Sequence, residues 1–303
     1  MAWIDIGCAI RISQSLGLHV SSPDANNTAI QNLNGKRIWW ALQNMETFLS
    51  CMLGRPPSTG EDHAGALDNQ EAVCKFSHVS CMLVRRSSPL NNVQQQVSTD
   101  PWTPHGYMSA SASLTNIICR LLRRFYWAPS PDNPEAVVQD ILNRLQAWWD
   151  NLPPGLRPGH LTTPSYLRAI TALTLRYYHT LMLLTRPYLL YSANHADSCS
   201  SKWAGYVAKC EQANEASSAL LVEMAQKGLL SELSFFNSHY ILGNGAILFL
   251  RCLKSPTSEL VISKMKELLP LVLMTERLNS GKWSAKSFVA LLDSVEKSQA
   301  QER

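Results

Sequence analysis

Apolar residues recur along this chain at the helical period, and no stretch shows convincing strand alternation. Residues 2–17 place Trp3, Ile6, Ile10 and Gly17 near one face, with Asp5 and Arg11 elsewhere. Residues 36–53 place Leu42, Met45, Leu49, Met52 and Leu53 on one stripe. Gly54-Arg55-Pro56-Pro57 ends that helix, because glycine accepts positive φ and proline cannot continue the ladder. Leu114, Ile117, Ile118, Leu121, Leu122 and Phe125 mark a third helix. Asn133-Pro134-Glu135 starts a fourth: a side-chain cap, proline at the first helical position, then an acid at the positive end of the dipole. It runs through Val138, Ile141, Leu142, Leu145 and Trp148 and stops at Leu152-Pro153-Pro154-Gly155.

Thr163-Pro164 opens a long helix through Ile170, Thr174, Tyr177, Leu181 and Leu184 that is expected to end or kink near Arg186-Pro187. A further helix runs from about Lys202 to Lys227, with Val207, Cys210, Ala213, Ser217, Leu220 and Met224 on its stripe and Gly228 as its stop. Ser231 is expected to cap a helix over 232–253, followed by shorter helices at 258–278, perturbed by Pro270, and 284–297. Residues 55–70 read as a loop, 71–86 as a helix, and the proline-broken stretch 87–106 as a long loop. The expected class is all-α: one domain of packed helices over 1–303, with 87–106 as its internal break.

Composition narrows this picture. Of 303 residues 46% are apolar, enough for a real core, and only 17% are charged, which excludes an acidic disordered tail or an ion-rich coiled coil. A net charge of +4 does not announce nucleic-acid binding. The start of the chain does not read as a signal peptide, because Asp5 interrupts the apolar run and no basic segment precedes it. Leu233–Leu250 holds no charged residue, yet its Asn237, His239 and Asn244 suit a buried helix better than a membrane span. No membrane partner is expected. The eight cysteines form no C-x-x-C, so reduced thiols are expected.

Candidate chemistry is sparse. Cys74, His78 and Cys81 fall on one face if 71–86 is helical, and His63 could fold back as a fourth metal ligand. A buried cysteine pair beside a histidine explains the same spacing more simply. Glu61-Asp62-His63 reads as a solvated loop. No nucleophile elbow, zinc-protease helix or phosphate-binding loop is present. Arg120, Arg123 and Arg124, like Arg85 and Arg86, read as the wet edge of a helix. Trp39-Trp40 and Trp148-Trp149 read as core or interface packing, or as the wall of an apolar effector pocket.

The order of short motifs goes further. Ala2-Trp3, then Gly7-Cys8-Ala9-Ile10-Arg11, then Leu16-Gly17-Leu18-His19, lead to Lys36-Arg37-Ile38-Trp39-Trp40 and to Gly54-Arg55-Pro56-Pro57 with an acidic loop after it. Trp149 to Leu152-Pro153-Pro154 follows, then Tyr177-Tyr178-His179 and Arg186-Pro187. This series resembles the fungus-specific transcription-factor domain, the middle homology region of zinc binuclear-cluster regulators. The resemblance implies a nuclear regulator of metabolic or secondary-metabolite cluster genes, acting through a helical domain that answers an effector or partner. It is not expected to be an enzyme. The motif positions carried over are Trp3, Gly7, Arg11, Gly17, His19, Arg37, Trp39, Trp40, Gly54, Arg55, Pro56, Tyr178, His179, Arg186 and Pro187. Arg55 and Arg186 would bond helix-end carbonyls or, alternatively, an effector carboxylate.

The family's zinc cluster of six cysteines and its coiled coil are not found in these residues. The resemblance therefore implies no cofactor in this chain, zinc only in that cluster, and an N-terminally truncated domain. DNA would be reached through a missing domain or a partner. A homodimer, a partner regulator and a small-molecule effector are the expected partners. Two other readings stand beside this one: a stand-alone binding module that modulates a full-length relative, and a helical enzyme of secondary metabolism.

Overall fold

The computed structural model describes residues 2–20, 28–59, 104, 106–127, 133–159, 162–194, 201–230, 234–254, 258–277 and 282–302. Among the described residues there are nine α-helices and no strand, so the chain is all-α. They are α1 (Ala2–Ser15), α2 (Ala29–Leu53), α3 (Tyr107–Leu121), α4 (Pro134–Asp150), α5 (Pro164–Asn194), α6 (Ser201–Gln226), α7 (Phe235–Lys254), α8 (Glu259–Met274) and α9 (Lys282–Glu302). The expected helix at 71–86, the loop chemistry at 61–63 and the Cys74, His78 and Cys81 set lie outside the described residues, as does most of 87–106.

Local signals explain most ends. Thr28 opens α2, seven residues earlier than the apolar stripe suggests, through a capping box: its hydroxyl accepts from Gln31 N–H while the Gln31 side chain accepts from Thr28 N–H at 2.8 Å. The α2 cap Gly54 has φ +61°, and Gly228 after α6 has φ +64°. Side chains there meet the left-handed penalty, so glycine is favoured. Asn133 caps α4 by accepting from Ala136 N–H at 3.1 Å.

Several expectations are corrected. Ser234 accepts at the start of α7, from Asn237 N–H at 3.3 Å, while the expected cap Ser231 lies outside the described residues. The long helix α5 neither ends nor breaks at Arg186-Pro187 but continues to Asn194. Proline removes one ladder bond there, while Leu189 and Ser192 beyond it are buried and hold the last turns. The face α2 buries is also broader than its apolar stripe: Gln43, Glu46, Thr47 and Ser50 are buried, whereas Leu53 is exposed. The third helix does not stay α-helical to Phe125, because Leu122–Tyr126 forms a π-helical turn.

The described chain forms two compact units, residues 1–170 and 171–303. In the first, α1 packs on α2, α2 on α3, and α3 on α4. Ile10, Trp39, Trp40 and Ala112 are buried together there, with Ile6, Leu18 and Leu42 against them. Both adjacent tryptophans of α2 are thus core, which needs packing around a wide arc of the helix. Trp148 of α4 is core too, and its indole N–H donates to the Ala110 carbonyl at 3.0 Å. In the second unit, α6 packs on α7 and α8, α7 on α8, and α9 on α7 and α8. Met182, Leu189, Val207, Cys210, Ala213 and Ile247 join α5, α6 and α7 in one cluster.

Candidate functional site

The motif residues of the first unit lie along the α1–α2 pair and the chain just beyond each helix. Gly7 is buried on the face α1 gives to the core. Gly17 takes φ +70° and turns the chain so that His19 meets Trp39, with ring centroids 5.7 Å apart. Arg55 was expected at helix-end carbonyls or at a ligand carboxylate. It stands over the Trp3 ring, 5.1 Å from its centroid. That is a cation–π contact between the first turn of α1 and the segment after α2. Arg11 and Arg37 are exposed.

The segment after Gly54 is pinned from within. Glu46 is 2% exposed, and its carboxylate accepts from the Ser58 N–H at 2.7 Å, from the Ser58 hydroxyl, and from the Thr59 hydroxyl at 3.1 Å. Burying a carboxylate is costly unless its lone pairs are satisfied, and these three donors satisfy them. Polar side chains of α2 also tie it to α3: Asn44 bonds Ser111 and Thr115, and Thr47 lies 3.2 Å from the Cys119 sulfur. An open cleft of about 410 Å³ lies between Pro56, Pro57, Ser58 and Thr59 on one side and Arg123 and Trp127 on the other.

In the second unit, Tyr178, His179, Arg186 and Pro187 all lie on α5. The His179 Nε2 is 3.0 Å from the Nε2 of His239 on α7. At that distance one ring donates and the other accepts, so the pair is held in complementary tautomers. The His179 ring packs beside Gly243, one turn beyond His239, at ordinary contact distance. Burial holds both histidines below the ordinary range: His239 is lowered to about 4, and His179 well below its usual value, with His239, Arg186 and Arg176 adding to the effect. Burial also pushes the Tyr178 hydroxyl up, and the Cys210 thiol up to about 11, which makes that sulfur a poor nucleophile. Asn214, Ser217 and Ser218 of α6 close a buried network with Asn244 of α7.

Sequence reading missed His239, Glu46 and the Asn244 network, because each partner lies 12 or more residues away in the chain. Arg123 read only as a wet helix edge. Among the described residues, no three His, Cys, Asp or Glu side chains converge as a metal site. None of the helices described is long and apolar enough to cross a membrane.

Comparison with known proteins bears on this arrangement. Residues 1–150 match the fungal specific transcription factor domain. The chain is similar to the protein named Transcription factor FBD3 from Fusarium pseudograminearum, 26% identical over 64% of this chain and 26% of the relative. It is similar to an uncharacterized transcriptional regulatory protein of Schizosaccharomyces pombe, 22% identical over 85% of this chain and 33% of the relative. It is also similar to Activator of stress genes 1 of Saccharomyces cerevisiae, 23% identical over 64% of this chain and 19% of the relative. The chain thus spans about a fifth to a third of the length of these curated relatives. No solved structure matches it.

Proposed function

Because residues 1–150 belong to the fungal specific transcription factor domain family, we propose that this chain is the helical regulatory part of a fungal transcription regulator. The observation that carries the reading is the similarity to fungal transcription regulators, which extends over 85% of the chain in one of them. The domain works in the nucleus, on metabolic or secondary-metabolite cluster genes, by answering an effector or a partner protein. Contact with DNA belongs to another domain or to a partner. The surplus of four positive charges is too small for phosphate contacts to dominate binding. The role is regulatory and not enzymatic.

Tethering tests this directly. The full chain, fused to an unrelated DNA-binding domain in a fungal host, should change transcription of a reporter bearing that domain's site. The untethered chain should not shift random duplex DNA at 150 mM salt. A well-expressed, nuclear fusion that leaves the reporter unchanged overturns the regulatory reading. Tight duplex binding by the chain alone overturns the assignment of DNA contact elsewhere. Suppression of a full-length relative by the untethered chain, with no effect from the tethered one, would replace it with the stand-alone modulator.

A further inference from the structure

The cleft beside the end of α2 is open, and its described lining brings a cation together with apolar rings. Its first wall is the Pro56-Pro57-Ser58-Thr59 segment. Proline fixes φ, so two in succession make that wall stiff. The buried Glu46 carboxylate holds its far end through Ser58 and Thr59. Those donors occupy the buried Glu46 carboxylate, which is not among the described residues lining the opening.

The facing wall is the π-helical turn Leu122–Tyr126, closed by a Trp127 N–H bond to the Leu122 carbonyl at 3.0 Å. An i+5 bond of this kind is an insertion into helical geometry, is rare, and occurs frequently at functional sites. Arg123 and Trp127 lie four residues apart and so face the same side, toward Pro56 and Pro57.

Among the described residues that line the cleft, Arg123 is the single charged one. It is half-buried, and among the described residues it has neither an ion pair nor a hydrogen bond. Its neighbour Arg120, one turn earlier, is paired with Asp140 at 3.0 Å. A half-buried guanidinium in a cleft also lined by an indole and two proline rings offers a fork for an anion and apolar surface for its body.

We propose that this cleft binds a small organic carboxylate with a flat apolar body, its carboxylate on Arg123 and its ring system between Trp127 and Pro56-Pro57. Within the regulatory reading such a molecule is the effector. The binding itself does not depend on that reading, so failure of one leaves the other standing.

The probe is naphthalene-2-carboxylate, titrated calorimetrically into the full chain, with the neutral carboxamide as its isostere. The carboxylate should bind at least ten-fold more tightly than the carboxamide. Arg123→Gln should weaken the carboxylate at least ten-fold and change the carboxamide less than two-fold. Trp127→Ala should weaken both probes. Arg124→Gln, a neighbouring exposed arginine, should change neither. Arg123→Lys keeps the charge but not the fork, and should give an intermediate loss. Circular dichroism melts show that each variant remains folded. Equal binding of the two probes, an unchanged carboxylate affinity in Arg123→Gln, or no binding at millimolar probe overturns the proposal.

Discussion

The two units handle their interior polar groups in opposite ways. In residues 1–170, the polar side chains on the buried face of α2 reach other segments: Asn44 to α3, Glu46 to the chain after Gly54, Thr47 to Cys119. Those bonds shape a surface and leave Arg123 facing an open cleft. In residues 171–303 a network of polar groups is closed between α6 and α7, although Ser192 Oγ and Asn214 Oδ1 are buried without a hydrogen bond. Asn244 alone bonds Ser217, Ser218, Asn214 and the Tyr240 carbonyl. His239 meets His179. The same kinds of side chain build a receptive edge in one unit and a closed interior in the other. The first unit should therefore answer ligands, and the second should answer packing and protons.

The largest blow to this contrast should come from Asn244→Ala. It removes the amide that joins α6 to α7 and strands buried partners, so a loss of about 3 kcal/mol is expected in urea unfolding of the full chain. A loss near zero would mean that the closed network does not hold the second unit. Glu46→Ala should cost less, about 2 kcal/mol, because Ser58 is exposed and regains water. The same variant frees the wall of the cleft, so it should also weaken naphthalene-2-carboxylate, whereas Asn244→Ala should not.

The histidine pair sharpens the contrast through pH. Both folded-state values lie below the ordinary 6.5, with His239 at about 4. Between those values the unfolded chain binds more protons than the folded one, so stability falls as pH drops from 6.5 toward 4 and is fully present above 6.5. His239 alone accounts for an expected loss of about 3 kcal/mol across that window, and His179 adds to it in the same direction. His239→Gln should flatten the slope, and an unchanged slope would place the titration in other groups. The smallest effect belongs to the exposed Arg55 over Trp3. Arg55→Gln should cost about 0.5 kcal/mol, the value of a solvent-screened cation–π contact. A loss several times larger would mark that arginine as a structural anchor of the first unit.

Particular residues show how much of this was legible in advance. Asn133-Pro134 announced the start of α4, and Gly54 and Gly228 announced two ends, because a cap or a positive φ is a demand made within a few residues. Pro187 misled, since its local cost is outweighed by burial of Leu189 beyond it. The polar face of α2 was invisible for a related reason: Glu46 is buried only because Ser58 and Thr59 return to it. His239 passed as one polar residue in an apolar run until α5 brought His179 to 3.0 Å.

The amino-acid order alone determined the all-α class, several helix limits and the family motifs, because periodicity, caps and short motifs are written in neighbouring residues. Only the tertiary structure decided which polar groups are buried, which histidines face each other, and that Arg123 opens on a cleft while Arg120 finds Asp140. Burial and charge pairing depend on what the rest of the chain places nearby, and no local pattern encodes that distance.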